Sequence, residues 1–226
     1  MQQVLNKIRI TGVAIAGVVA LAAITGHAQA VPIVGLFNTG VDGSGALLGG
    51  GVDDPHYAII TQPVPGTPDY TLPSINGSWS PNDAVSRWIG PNQYSGGNNG
   101  DPGTYVYRTT FTLPATVDLL TVVLGGQWAT DNNGTDILIN GASTGQTSPA
   151  FFVPGAFTVT TGFLAGLNTL DFVVVNLAGS PNPTGLRVTG LAGTFDVVAV
   201  PEAGSLGLFG LGLAGLGLAA WRRKTA

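Results

Sequence analysis

Apolar and polar residues alternate with a period of two through Tyr105-Val-Tyr-Arg-Thr-Thr-Phe-Thr-Leu113. Tyr105, Tyr107, Thr109, Phe111 and Leu113 therefore share one face of a strand, and the β-branched and aromatic content suits a half-buried pleated surface. Shorter stretches of the same character occur at 33–37, 57–61, 86–89, 119–124, 136–140, 157–160, 170–176 and 186–200. Between them stand Gly, Pro, Asn and Asp, whose backbone preferences favour turns. Asn140-Gly141 directly after an apolar run predicts a tight hairpin turn. Two stretches read as long irregular loops: 62–81, which carries five prolines, and 91–103. No amphipathic helix of useful length precedes Gly204. Many short strands with turns between them, in roughly 170 residues, predict an all-β antiparallel sandwich of jelly-roll type.

The two ends break this pattern. Lys7 and Arg9 precede an uncharged apolar run from Ile10 to Ile24, and Ala28-Gln29-Ala30 follows. That order is the n-region, h-region and small-x-small cleavage site of a secretory signal peptide. Residues 1–30 are expected to be removed by signal peptidase after Ala30, so that the mature chain begins at Val31; an uncleaved N-terminal anchor is the alternative. At the other end, Gly204 to Trp221 is 18 residues without charge, followed by Arg222, Arg223 and Lys224. As a helix this segment would measure roughly 27 Å, enough for a thin hydrocarbon core. It predicts a single transmembrane helix whose basic end stays in the cytoplasm and acts as a stop-transfer signal. The exported domain is then 31–199 and the tail 200–226. Ala203, Gly207, Gly210, Ala214 and Gly217 recur at spacings of four and three, a small-residue stripe suited to close approach by another helix.

Charge narrows the partners. Residues 31–200 contain Arg87, Arg108 and Arg187 as their only basic residues, and eleven Asp, a net charge of −8. Such a surface repels phosphate backbones, so nucleic acid is not expected as a partner. The chain has no Cys, which removes thiolate catalysis and Cys-based metal sites.

Candidate chemistry is sparse. Gly141-Ala-Ser-Thr-Gly145 has the form of a nucleophile elbow, but the elbow needs a following helix and a later His. No His follows Ser143, and His56 lies far upstream. A flexible hairpin is the reading preferred here. Asp53, Asp54, Asp131 and Asp136 could supply a carboxylate pair, yet Asp is common in turns for local reasons. No enzyme is expected. The run Asp131-Asn-Asn-Gly-Thr-Asp136 is rich in oxygen ligands. It reads either as a turn with side-chain hydrogen bonds or as a structural Ca2+ site using Asp131, Asn133 and Asp136. No other cofactor is expected. Trp79, Trp88, Tyr94 and Trp128 lie in or beside loops next to Asn, Asp and Arg. They either fill the core or present faces on which a sugar ring can stack. Arg187 is either paired with an Asp or placed against a sugar.

The tail has a second property. Val200-Pro201-Glu202-Ala203, the apolar span and the basic cluster together resemble the PEP-CTERM sorting signal of exopolysaccharide-producing Gram-negative bacteria. The family motif is usually Pro-Glu-Pro; Ala203 takes the third position here. The resemblance implies recognition and cleavage by an exosortase, a membrane-embedded, cysteine transpeptidase-like enzyme. Without that cut the same tail would be a permanent inner-membrane anchor. Asp54-Pro-His-Tyr57, Ser86-Arg-Trp-Ile89, Tyr105-Val-Tyr-Arg-Thr-Thr-Phe111, Asp131-Asn132, Ile139-Asn-Gly141, Gly166-Leu-Asn-Thr-Leu170 and Asn182-Pro-Thr-Gly-Leu-Arg187 resemble a module similar to galactose-binding-like jelly rolls. That resemblance implies a fold, and a glycan-binding or purely structural role. The expectation is a non-catalytic protein, held at the inner membrane before processing, then delivered to the cell envelope or extracellular matrix, where it associates with exopolysaccharide. A structural matrix or adhesion protein and, more remotely, a glycan-active enzyme are the alternatives.

Overall fold

In a computed structural model the described residues are 30–64, 70–71, 77–91, 100–148, 150–178, 182–198 and 203–224. The signal segment with Ala28, the aromatic Tyr94 and the sorting residues Val200, Pro201 and Glu202 lie outside them. The chain forms two antiparallel sheets facing each other in a jelly-roll sandwich. One contains β3 (Tyr70–Thr71), β4 (Ile89–Gly90), β11 (Gly185–Val197), β6 (Val117–Asp131) and β9 (Gly155–Val159) in that order, with β1 (Val31–Pro32) also paired to β11. The other runs β2 (Ala58–Thr61), β5 (Gly103–Leu113), β10 (Gly166–Asn176), β7 (Asn133–Ile139) and β8 (Ala142–Ser143).

The alternation along β5 is realised in full: Tyr105, Tyr107, Thr109, Phe111 and Leu113 are all buried. On the neighbouring strand of the same sheet, Phe172 of β10 reaches across to the opposite one, its ring 5.5 Å from Trp128 of β6 and 5.7 Å from Phe157 of β9, and it lies 6.3 Å from Tyr57. Aromatic pairs at these separations add to the burial energy that holds the sheets together. Arg108 and Asp171 stand directly opposite each other on β5 and β10, joined by two hydrogen bonds of 2.7 Å.

Several boundaries differ from the sequence reading. The first strand is Val31–Pro32, not 33–37, because Gly35 takes φ = 83° and turns the chain. The segment around Trp88 is extended only at Ile89–Gly90; the Asp83 carboxylate accepts the Val85 N–H, and Asp83 N donates to Ser86 O, so 83–86 is a turn. The strand expected at 119–124 is part of β6, which continues to Asp131. The predicted hairpin is present: Asn140 and Gly141 have φ = 52° and 80°, the pair of positive angles a type I′ turn requires.

Register divides the sandwich into two ends. Leu113, Gly166, Val117 and Val197 mark one, where the chain leaves the sandwich toward the tail. Gly103, Asn176, Asp131 and Gly185 mark the far end. Near the exit end, fully buried Asn168 fastens the loop before β10. Its Oδ1 accepts Leu164 N and Asn140 Nδ2, and its Nδ2 donates to Leu164 O and Gly166 O, at 2.8–2.9 Å. Asn168→Ala should cost about 2 kcal/mol in chemical denaturation, because buried backbone groups lose their partner. A cost below experimental error would show that the loop finds other partners.

The tail helix α1 spans Ala203–Lys224. Its described side chains, from Gly210 to Arg223, are exposed. Among the described residues no helix is long and apolar enough to cross a membrane. The composition explains this: six glycines dilute six leucines between Gly204 and Trp221.

Candidate functional site

Trp79, Trp88 and Trp128 do not form an exposed platform; they are 4 %, 0 % and 0 % exposed. Trp79 and Trp88 pack ring to ring at 4.4 Å and close the sandwich together with Ala129 and Phe151. Their indole N–H groups are satisfied internally, Trp79 Nε1 on Asp131 Oδ2 and Trp88 Nε1 on Ser80 O, both at 2.8 Å. Large apolar rings gain most by leaving water, and here the fold encloses them completely. The sugar-stacking reading of these three residues is therefore corrected. Tyr94 lies outside the described residues.

Arg187 is also enclosed. Its guanidinium donates to Ser86 Oγ at 2.9 Å, to Ser80 Oγ at 3.4 Å and to Asp83 Oδ2 at 2.5 Å. Of the two readings of Arg187, the Asp-paired one describes the structure, and the sugar contact is corrected. Burial works against the Arg187 charge and lowers its pKa, while the Asp83 carboxylate opposes that shift. For Asp83, burial works against the charge too. The Val85 N–H, the Ser86 hydroxyl and the Arg187 cation outweigh it and hold the carboxyl below its ordinary range.

The oxygen-rich segment is a hydrogen-bonded corner. Asp131 ends β6; Asn133 and Asp136 lie on β7. Both Asp131 oxygens are engaged, by Trp79 Nε1 and by Asn132 Nδ2, and Asp136 Oδ1 accepts Gly145 N. Asn133 is exposed. Both Asp side chains are thus taken up by local hydrogen bonds, and among the described residues no group of three or more His, Cys, Asp or Glu side chains could hold a metal ion. Burial pushes the Asp131 carboxyl up to about 6, against the two hydrogen bonds that favour its charge. Asn132 extends the network: its Oδ1 accepts Leu177 N and Asn182 Nδ2. Sequence reasoning quoted Asp131, Asn132 and Asn182 but did not join them, since 50 residues separate the two asparagines.

Ser143 is no nucleophile elbow. It lies on β8, after a hairpin turn, and the next element is strand β9. His56 stacks on Phe37 just before β2, and β2 and β8 are opposite edges of their sheet.

A concave polar surface lies between the edge strands β8 and β9. This cleft of about 410 Å³ is lined by Ser143, Thr144, Gln146, Thr158, Thr160 and Thr161 over Ile139 and Val159. Gln146 bonds the backbone of Thr158 in both directions, Nε2 to its O and Oε1 from its N, and so caps the open edge of β9. The cleft lining carries hydroxyls and amides and no charge. The sequence signal for it was only an excess of Thr.

Comparison with known proteins adds one assignment. Residues 199–224 match the PEP-CTERM protein-sorting motif. No curated protein matches the chain. Among solved structures, the chain is similar to the CBM35 from Paenibacillus barcinonensis at 14 % identity and a TM-score of 0.27, covering 76 % of this chain and 99 % of that one. It is also similar to the CBM36-1 domain of a multidomain xylanase from the hindgut metagenome of Trinervitermes trinervoides. That likeness has 14 % identity and a TM-score of 0.26, over 64 % of this chain and 98 % of that one.

Proposed function

We propose that this is an exported, non-catalytic jelly-roll protein of the cell envelope or extracellular matrix, delivered by exosortase-type cleavage of its tail. The observation that carries the reading is the sorting motif at 199–224, which begins directly after Val198, whose N–H donates to Thr116 O at 2.8 Å as the last such bond among the described residues. Signal peptidase acts at the other end, after Ala30. Before processing, the glycine-rich helix engages the inner membrane weakly, with Arg222, Arg223 and Lys224 at its cytoplasmic side. Weak insertion suits a temporary tether.

The mass and location of the mature chain test this. Wild type should be found outside the inner membrane without its tail, and a variant carrying Pro201→Ala and Glu202→Ala should stay in the membrane fraction with the tail intact. Normal release of the variant at the wild-type mass would overturn the reading.

At its destination the protein associates with exopolysaccharide, through the uncharged hydroxyl-lined cleft between β8 and β9 and not by stacking on Trp79, Trp88 or Trp128. Hydroxyls and amides match the hydrogen bonding of a neutral glycan. Replacing both Thr160 and Thr161 by Arg should reduce exopolysaccharide pull-down at least about tenfold, since two long cations fill the cleft. The complete burial of three tryptophans favours the second reading, a purely structural matrix protein, and no saturable binding by wild type would decide for it.

A further inference from the structure

Near its start β6 carries a bulge. Val123 pairs with Thr194 and Asp118 with Asp196, so Leu119 to Val122 face Phe195 alone. The bulge is held by its own hydrogen bonds: Asp118 Oδ1 accepts Leu120 N, Thr121 Oγ1 donates to Asp118 O, and Asp196 N donates to Thr121 Oγ1. The result is to present Leu120 outward, 94 % exposed, the most exposed large apolar side chain among the described residues. Leu119, Leu164, Leu167, Val197 and Val198 are exposed on the same exit end. The charges beside them are Asp118 and Asp196; Arg187 lies near the far end of β11, opposite Ala129, and Arg108 is paired with Asp171 within the other sheet.

Chain length fixes what this end can meet. From Val198, the last described residue bonded to the sandwich, to Ala203, the first of α1, is five Cα-to-Cα steps. Their fully extended reach is at most about 18 Å. A headgroup layer is roughly 5–8 Å deep. With α1 at the membrane, the exit end is therefore held within about 13 Å of the lipid surface.

We propose that the exit end of the sandwich docks on the bilayer, with Leu120 as its principal contact, and supplies the second membrane signal that the glycine-rich helix lacks. The inference rests on the reading that α1 engages the membrane before processing. Stable anchoring commonly needs two weak signals acting together. Cleavage at the sorting motif removes one of them, and the apolar end alone is too weak to hold the protein. The acidic rim selects a zwitterionic surface over an anionic one.

The chain has no Cys, so single cysteines can carry an environment-sensitive fluorophore. The full chain is labelled at Leu120→Cys, at Leu213→Cys in α1, or at Asp101→Cys on the far end, and mixed with phosphatidylcholine vesicles. Blue shifts at positions 213 and 120 with none at 101 are expected. A shift at 213 with none at 120 overturns the docking and leaves the tail reading intact; it would leave the exit end to a protein partner instead. Shifts at both 120 and 101 overturn end-on docking. No shift at 213 overturns the membrane reading of the tail and the docking with it. With the 213 label in place, Leu120→Asp should weaken vesicle partitioning about tenfold. Unchanged partitioning of that variant also overturns the proposal.

Discussion

Asp83→Ala is expected to destabilise the sandwich by about 3 kcal/mol, and Arg187→Met by about half as much. The asymmetry comes from burial. Arg187 is 5 % exposed and Asp83 42 % exposed at the side chain. Removing Asp83 strands a cation in the interior with two serine hydroxyls as its remaining partners. It also frees Val85 N, the Ser86 hydroxyl and the Thr189 hydroxyl, which Asp83 accepts. Removing Arg187 leaves a carboxylate that water reaches, so the loss is mostly packing. Urea denaturation of both variants checks the order, and a larger cost for Arg187→Met would show that the pair is governed by packing. The pH dependence has a definite sign. The folded carboxyl of Asp83 lies below its ordinary value of 3.8, so its contribution is complete above that value and is lost as pH falls through the lower folded one.

That pair also shows how far the sequence could be read. With three basic residues among eleven acids, pairing of Arg187 with some Asp followed from composition, but not which one. Asp83 lies 104 residues away and is brought near by β4 joining β11. The face of β5 was legible because alternation is a local signal and the strand lies on one core. The second half of β6 was not. Gly125 and Gly126 carry no β-propensity, yet a Cβ at Gly125 would come within 2.7 Å of the Phe157 carbonyl oxygen, so glycine is what lets β9 approach. Trp79 and Trp88 do lie in loops, but a loop residue can be buried when the loop folds over a sandwich end, as these two are; Trp128 lies within β6, paired on both sides. The tail was legible because a sorting signal is linear, read by order and spacing with no tertiary contact. The cleft between β8 and β9 was not, because it exists only where the edges of two sheets meet.

The stability of this protein should rise as the solution is acidified from pH 7.5 to 5, against the trend set by most paired carboxylates. Asp131 is 4 % exposed, and burial raises its carboxyl from an ordinary 3.8 to about 6. Between those values the folded state holds a proton that the unfolded state does not, so stability falls as pH rises through the window. Above about 6 the group is ionised in both states and the desolvation penalty is complete. A shift of this size corresponds to about 3 kcal/mol at most. It is no larger because Trp79 Nε1 and Asn132 Nδ2 both donate to the charged form, and protonation turns one acceptor into a donor. Burial also raises Asp54, which accepts Gly40 N and His56 N, so a residual slope of the same sign persists without Asp131. Asp131→Asn keeps an acceptor for Trp79 and cannot ionise. Its melting temperature should therefore vary less between pH 5 and 7.5 than that of wild type, with the two curves converging toward the acid side. A wild-type melting temperature that climbs from pH 5 to 7.5 would mean that the two donors outweigh burial at Asp131, and that the far end of the sandwich is held by a charge.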